Sequence, residues 1–254
     1  MSSYNVRNLL LFVPVDSIAE RMSRVDSRLV ELSAETTSPV YITDPGYFVP
    51  YVRSPDKHVF VHRETADGVP GVTELTEVGE LGRTDWTVNG FAITGEFGRS
   101  GLSGQLSVSV DRLLAETPLT CEDFPLSFFK VVAVDPEERS RGIGTQLTST
   151  AIAPLFESPP MMAVVWLRDN PANRRLAQAY ARSEVATFED YFEEGWECPE
   201  CGFDAECSCD VAVYVWFGDE RDRAVAAANA DPGAEAEAEA ETGAGEGEPG
   251  VASH

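Results

Sequence analysis

One strand that runs into a turn with glycines and arginines carries the clearest chemical signal in this sequence. Phe128–Val134 is rich in β-branched and aromatic residues, and Pro136 ends it because proline cannot extend a strand ladder. The following turn, residues 135–144, which we call the glycine turn, contains Arg139, Arg141, Gly142 and Gly144. Glycine lets a backbone approach a ligand closely, and the unpaired N–H groups of a helix that begins here would point at an anion. The pattern predicts a cradle for a pyrophosphate.

The spacing within the glycine turn excludes two other phosphate-binding motifs. A dinucleotide-binding fingerprint needs a third glycine, where Leu147 stands, and a Walker loop needs Gly-Lys-Ser/Thr, which the chain lacks. The longer pattern Val-x-Pro-x-x-Arg-x-x-Gly-x-Gly is met by Val134, Pro136, Arg139, Gly142 and Gly144. It resembles motif A of the GNAT (Gcn5-related N-acetyltransferase) superfamily. The resemblance implies that this segment binds acetyl-CoA through Val132, Val134, Arg139, Arg141, Gly142, Ile143, Gly144 and Thr145.

The elements after the glycine turn extend the resemblance. Met161–Leu167 is predicted to be an apolar strand, and the helix after it carries Asn173 and, seven residues later, Tyr180. In GNAT proteins an asparagine in this relation contacts the pantetheine arm, and the tyrosine protonates the departing CoA thiolate. Starting from Asn170 instead would place Ala177 at the tyrosine position, which favours Asn173.

The resemblance covers residues 128–217, whereas the N-terminal half agrees only in the order of its elements. After the helix the family's usual Gly-Phe is replaced by Ser183-Glu184. The resemblance implies an α+β fold: a mixed, mostly antiparallel central sheet, with a splayed parallel pair at the CoA site and helices on both faces.

The chemistry implied by the resemblance is acetyl transfer from acetyl-CoA to an amine through a tetrahedral intermediate. A backbone N–H within residues 132–134 would stabilise the oxyanion, and Tyr180 would act as the general acid. Glu96, Glu122 and Asp123 are candidate bases, which the sequence does not rank. The alternative function is a non-catalytic acyl-CoA sensor or protein-interaction module that uses a cysteine loop near the C-terminus.

Four of the five cysteines cluster within residues 198–209, as Cys198, Cys201, Cys207 and Cys209. In a cytosolic chain this spacing favours a metal over a disulfide, and four thiolates predict a closed, structural Zn²⁺ site. A redox dithiol pair and unligated cysteines are the alternatives. Cys121 stands apart and is predicted to be a small buried residue.

The N-terminal half supplies elements that could cover the site. Leu9–Val13 is predicted to be a strand, and a capping box at Ser17 predicts the start of a helix that ends near Ala34. The apolar face of this helix comprises Ile18, Met22, Val25, Leu29 and Leu32. Residues 36–56 predict a loop or short helix whose aromatic residues line a pocket or seal the core; these are Tyr41, Tyr47, Phe48 and Tyr51.

Three segments between this loop and the glycine turn complete the predicted order. His58–His62 alternates as a strand, and we assign its histidines no role. Residues 64–84 predict a connection. Thr87–Thr94 is a second strand, whose neighbour is either Leu106–Val110 or Ser127–Val134.

The composition of the chain limits the kinds of partner that it is expected to bind. The chain has 254 residues, with 43 acidic and 19 basic side chains and a net charge of −24, which argues against nucleic acid and anionic membranes. Lys57 and Lys130 are its only lysines, and abundant acids with scarce lysine resemble the proteins of salt-in halophiles. We find no membrane-length apolar run and no signal-peptide pattern, so we predict a cytoplasmic protein. We expect an acetyltransferase domain over residues 1–217 and an acidic disordered tail over 218–254, and leave a homodimer open.

Overall fold

The computed structural model describes residues 24–37, 41–65, 67–157, 160–166, 171–181, 183–189, 191 and 209–218. The predicted strand Leu9–Val13, the capping box at Ser17 and the apolar positions Ile18 and Met22 lie outside these residues. So do Cys198, Cys201, Cys207 and all of the predicted tail after Gly218.

Within the described residues, seven strands form one sheet in the order β2-β1-β3-β4-β5-β7-β6. In chain order they are β1 Lys57–Thr65, β2 Pro70–Glu74, β3 Trp86–Phe97, β4 Leu126–Val134, β5 Met161–Trp166, β6 Ser183–Phe188 and β7 Val211–Trp216. The pairing of β4 with β5 is parallel, and the other strand pairs of this sheet are antiparallel. The predicted mixed, mostly antiparallel sheet with one parallel pair is confirmed.

Helices cover both faces of the sheet. They are α1 Val25–Thr36, α2 Val49–Arg53, α3 Arg99–Ser103, α4 Val110–Glu116, α5 Ile143–Ile152 and α6 Pro171–Ala181. On one face α1 buries Leu29 and Leu32 in the main core together with Phe91 of β3. On the other face α5 packs against the same strand so closely that a Cβ on Gly90 would lie 3.0 Å from Leu147. The predicted α+β architecture is confirmed.

The first described helix differs from its prediction at both ends. Arg24 has an extended backbone (φ −83°, ψ 151°), so the helix begins at Val25 and does not run through from Ile18. The Val25 N–H donates to the carbonyl of Arg83 at 3.0 Å, a tertiary contact that the periodicity of the sequence does not reveal. The helix ends at Thr36 instead of Ala34, and its buried positions Val25, Leu29 and Leu32 agree with the predicted apolar face.

Two predictions between β1 and β4 are wrong. Residues 64–84 contain a strand, β2, which pairs with β1 at the edge of the sheet. Leu106–Val110 is not a strand, because the Ser109 hydroxyl accepts a hydrogen bond from the Arg112 N–H at 3.1 Å and caps α4. The neighbour of β3 is therefore β4, which is the other predicted partner.

Cys121 is also placed differently from its prediction. It is exposed, in a short 3₁₀ turn that precedes β4, and its sulfur accepts a hydrogen bond from the Arg99 guanidinium at 3.6 Å. The prediction of a buried residue is wrong because Cys121 lies in a polar turn, ahead of the buried strand, where no apolar core surrounds its thiol.

Candidate functional site

The two parallel strands, β4 and β5, separate from each other at the centre of the sheet. Ser127–Phe129 of β4 pairs with Met161–Ala163 of β5, after which β5 continues along β7 and β4 continues along β3. The rest of β4, Lys130–Val134, therefore has no strand on the side of β5 among the described residues. Its free backbone N–H and C=O groups form an edge on which an extended ligand could lie.

A β-bulge in β4 marks the point where the two strands part. Phe129 lies opposite Thr94 and Val131 lies opposite Ile93, so Lys130 is the extra residue, without a partner on β3. Bulges redirect side chains and commonly lie next to functional sites. Sequence patterning did not locate this bulge.

The glycine turn joins β4 to α5 and leaves the start of this helix open. Two residues of the turn have left-handed backbones, Ser140 (φ 65°) and Gly142 (φ 82°). Gly142 is the N-cap of α5, and no described side chain caps the helix. The N–H groups of the first turn, at Ile143, Gly144 and Thr145, thus have no intrahelical partner and remain available to an anion.

The arginines of the glycine turn differ in their partners. Arg141 forms an ion pair with Glu138, whereas Arg139 is exposed and has no carboxylate partner among the described residues. Arg28 of α1 reaches Asp135 at 2.6 Å, and this contact fastens α1 to the start of the turn. Among the described residues, the turn therefore retains one cation without a carboxylate partner, three residues before the N-cap of α5.

His62 is buried near this turn, at 4% exposure, and its Nδ1 has no hydrogen-bond partner in the described part of the chain. Burial lowers the pKa of His62, and the nearby Arg141 lowers it further. Sequence patterning does not connect this histidine with the glycine turn, because strand alternation alone does not tell which helix covers a face.

The two remaining predicted site residues lie on α6. Tyr180 is partly buried against a cluster that includes Ile152 and Met161, and Phe129 of β4 packs against the same cluster. The backbone of Asn173 belongs to α6, but its side chain lies outside the described residues. Their roles remain predictions.

The candidate bases are dispersed around the start of β4. Glu96 lies opposite Ser127 in the sheet, and Glu122 is exposed. The Asp123 carboxylate accepts hydrogen bonds from the N–H and hydroxyl of Thr120, at 2.6 and 2.9 Å. The geometry does not single out one of them as a base.

Three tyrosines from residues 41–51 surround the ammonium group of Lys130, and we call them the tyrosine cluster. The Lys130 Nζ lies 5.7 Å from the ring centroid of Tyr41, 5.3 Å from that of Tyr47 and 5.7 Å from that of Tyr51. The ammonium also donates a hydrogen bond to Oε1 of Gln105. The aromatic loop therefore surrounds a cation at the point where β4 and β5 part, while its fourth aromatic residue, Phe48, is fully buried in the core.

Burial shifts the pKa values of Lys130 and of the tyrosine cluster away from their ordinary values. Burial lowers the pKa of Lys130 to about 8, and the neighbouring Lys57 contributes to this shift. Burial also raises the pKa of each member of the tyrosine cluster above its ordinary value, so the three phenols are neutral at pH 7. The Lys57 Nζ lies 5.5 Å from the Tyr51 ring and 5.1 Å from the Phe97 ring.

Little of the predicted zinc site falls within the described residues. Cys209 is partly exposed two residues before β7, and its carbonyl accepts a hydrogen bond from the Tyr191 N–H at 3.1 Å. Within the described ranges no group of three or more His, Cys, Asp or Glu side chains is arranged to hold a metal. Since three of the four predicted ligands lie elsewhere, the site remains a prediction.

Among the described residues, no helix has the length and apolar character needed to cross a membrane.

No protein-family model matches this sequence. No curated protein matches it either. Solved structures similar to this chain include NAA60 of Arabidopsis thaliana in complex with acetyl-CoA, with 14% identity, a TM-score of 0.44, and coverage of 76% of this chain and 94% of that chain. An N-acetyltransferase of Staphylococcus aureus Mu50 shows 17% identity, a TM-score of 0.42, and coverage of 76% and 93%. The ribosomal-protein-S18-alanine N-acetyltransferase of Escherichia coli shows 13% identity, a TM-score of 0.39, and coverage of 78% and 94%.

The sheet of this chain assigns it to a structural class independently of these similar structures. It is an α+β protein whose mixed sheet opens at a parallel strand pair, next to an uncapped helix N-terminus.

Proposed function

We propose that this protein is an acetyl-CoA-dependent N-acetyltransferase. One observation carries the proposal: the unpaired edge of β4, over Lys130–Val134, leads directly into the glycine turn and the open N-terminus of α5. An extended arm that ends in a pyrophosphate fits this arrangement, because the strand edge offers hydrogen bonds along its length and the helix end attracts the anion.

The site residues divide by the part of acetyl-CoA that they bind. The backbone of Val132 and Val134 pairs with the pantetheine arm, which Asn173 contacts from α6. The first turn of α5, at Ile143, Gly144 and Thr145, binds the pyrophosphate together with Gly142. Arg139 and Arg141 supply positive charge to the same phosphates.

In the proposed reaction a neutral amine attacks the thioester carbonyl. The new C–N bond forms as a backbone N–H of residues 132–134 stabilises the oxyanion, and the C–S bond then breaks. The amine proton leaves to a base or to water, and the Tyr180 hydroxyl protonates the departing thiolate.

Two measurements test the proposal on the full chain. Isothermal titration measures acetyl-CoA binding, and release of free thiol measures transfer to a panel of primary amines. We expect binding together with thiol release on at least one amine. Binding without release on any amine would favour the alternative, an acyl-CoA sensor or interaction module, and an absence of binding would overturn both functions.

We also propose that Cys198, Cys201, Cys207 and Cys209 bind one structural Zn²⁺ ion. Two observations support this: the four thiols fall within twelve residues, and Cys209 lies two residues before β7, the strand that pairs with both β5 and β6. A closed four-thiolate site would stabilise the connection between β6 and β7 and would leave no position for substrate.

A further inference from the structure

The two lysines of this chain lie together, and neither has an acidic partner among the described residues. The chain has 43 acidic side chains against 19 basic ones. Among the described residues, arginines such as Arg24, Arg28 and Arg83 pair with carboxylates. No described carboxylate comes within 4.0 Å of the ammonium group of Lys57 or Lys130. Arg139 also has no described carboxylate partner, but it is exposed, whereas Lys130 is partly buried. The absence of a described acidic partner beside Lys130 is therefore informative in a chain with so many acids.

The surroundings of Lys130 stabilise a cation without neutralising it. The ring faces of the tyrosine cluster attract the ammonium, and the Gln105 amide oxygen accepts one of its three N–H donors. The Tyr51 hydroxyl also donates to this amide oxygen at 3.3 Å, and the Tyr47 and Tyr51 hydroxyls lie 3.3 Å apart. Lys130 thus keeps N–H donors for a ligand. A partly buried charge without a counterion is costly, and an anionic ligand would offset that cost.

The position of Lys130 points to the acceptor and away from the phosphates of acetyl-CoA. Lys130 is the bulged residue where β4 leaves β5, whereas the glycine turn begins beyond Val134, at the other end of the free edge. Four strand residues span roughly 13 Å, which is too far for a phosphate at the turn to pair with this ammonium. Under the proposed function, the acetyl group and the amine meet near the bulge.

We propose that Lys130, with the tyrosine cluster around it and Lys57 beside it, binds the carboxylate of the acceptor, so that the substrate is an amine that also carries a carboxylate group. This inference rests on the proposed function for the identity of the site. A polyamine or a lysine-rich peptide would place like charges together here, and a neutral amine would leave the ammonium without a partner.

Matched acceptors test the inference by binding alone. β-Alanine is compared with β-alaninamide, and L-phenylalanine with L-phenylalaninamide, each titrated calorimetrically into the CoA-bound protein. We expect the acid to bind at least about tenfold more tightly than its amide, since a hydrogen-bonded charge pair contributes this much or more. Lys130→Met should reduce this preference to about twofold or less, and Lys130→Arg should retain most of it.

Arg53→Met is the matched control, because it removes an exposed cation from α2, next to the tyrosine cluster, without touching the ammonium. Its preference for the acid should equal that of the unmodified chain. Equal affinities for acid and amide in the unmodified chain, failure to bind either, or a preference that survives Lys130→Met would overturn the inference. Thermal melting confirms that each variant is folded.

Thiol release separates this inference from the proposed function. One outcome is a preference for acids that is lost in Lys130→Met, in a protein that releases no thiol on any amine. It would support the inference and contradict the proposed enzymatic activity. Thiol release on amides and acids alike would support the enzyme and overturn the inference.

Discussion

Gly142 and Gly144 stand two residues apart in the glycine turn, but of these two only Gly142 has a backbone conformation that favours glycine. Gly142 has φ +82°, a conformation that costs an L-residue about 1–2 kcal/mol. Gly144 has no such restriction, and a Cβ there would lie 3.6 Å from Val134, an ordinary contact. A substitution at Gly144 therefore tests the space left for a ligand, whereas one at Gly142 also changes stability.

Gly144→Glu should weaken acetyl-CoA binding by at least about tenfold, because a carboxylate would occupy the pyrophosphate position and repel it. Isothermal titration measures the affinity, and the melting temperature should stay close to that of the unmodified chain. Gly79→Glu is the control, since Gly79 is exposed with nothing within 4 Å of its added Cβ. Undiminished affinity in Gly144→Glu would remove the glycine turn from the binding site.

Tyr180→Phe should lower turnover by roughly 10²–10⁴-fold with little change in acetyl-CoA affinity, because only a proton donor is lost. Steady-state thiol release and titration calorimetry measure the two quantities. Tyr214→Phe controls for loss of a phenol in the same apolar cluster, since the Tyr214 hydroxyl donates to Glu184 at 2.6 Å. Turnover within a factor of two of the unmodified chain would reject Tyr180 as the acid.

Lys130 should make stability depend on pH in a defined window. Its pKa is about 8 in the folded protein against 10.5 ordinarily, so between these values the unfolded chain holds the proton that the folded chain has lost. The free energy of unfolding should then rise with pH from about 8 to 10.5, by up to about 3 kcal/mol from this group.

The difference in unfolding free energy between the unmodified chain and Lys130→Met isolates this contribution in denaturant titrations. The other groups that face Lys130 are Lys57 and the tyrosine cluster, and they are present in both proteins. A difference that stays constant from pH 8 to 10.5 would contradict the lowered pKa.

At the scale of elements, β4 organises the site because its two edges behave differently. One edge pairs with β3 along its whole length apart from the bulge, and the other pairs with β5 for three residues. The Arg28–Asp135 ion pair then connects α1, on one face of the sheet, to the turn that leads into α5 on the other. Asp135 also accepts a hydrogen bond from the Glu137 N–H at 2.9 Å, so it shapes the glycine turn directly.

A double-mutant cycle of Arg28→Met and Asp135→Asn should give a coupling free energy of about 1 kcal/mol, because both side chains are partly buried. Denaturant unfolding measures the coupling, and acetyl-CoA affinity should fall in both single variants. The cycle of Arg112 and Glu116, an exposed pair within α4, provides the control at about 0.3–0.5 kcal/mol or less. Equal coupling in the two cycles would show that the Arg28–Asp135 pair does not fasten the turn.

At the scale of the whole molecule, the acidic composition and the cysteine loop stand outside the proposed reaction. The net charge of −24 predicts a chain that tolerates high salt, where repulsion between acids is screened. This resemblance to halophilic proteins, like the division at residue 217, remains a prediction.

Metal analysis of protein prepared under reducing conditions should find about one zinc per chain. A chelator should lower the melting temperature at fixed salt, because binding to a site that exists only in the folded chain stabilises that state. At temperatures where the zinc-free protein stays folded, acetyl transfer should largely persist. A Cys121→Ser variant should keep its zinc, since this exposed cysteine is not among the proposed ligands. Protein without zinc would overturn the site, and loss of activity without loss of stability would place the loop in the active site.

The sequence alone determined the strand, glycine turn and helix of the proposed acetyl-CoA site. The signals for these elements are Pro136, Gly142 and the apolar residues of Phe128–Val134. They lie within one short stretch of sequence, so the strand, turn and helix can be predicted without knowledge of the rest of the fold. β1, β3, β4, β5 and α6 were predicted for the same reason, whereas β6 was not. β2 was missed because Gly- and Glu-rich residues at a sheet edge are held by their pairing with β1 and not by their own pattern.

Only the tertiary structure decided where the aromatic loop and the lysines go. The sequence left Tyr41, Tyr47 and Tyr51 either lining a pocket or sealing the core, and it gave Lys130 no role. Lys130 and the three tyrosines are in contact because the bulge of β4 lies next to a loop that comes some eighty residues earlier in the chain. Contacts over such separations depend on the packing of the whole sheet, which local propensity and periodicity do not encode.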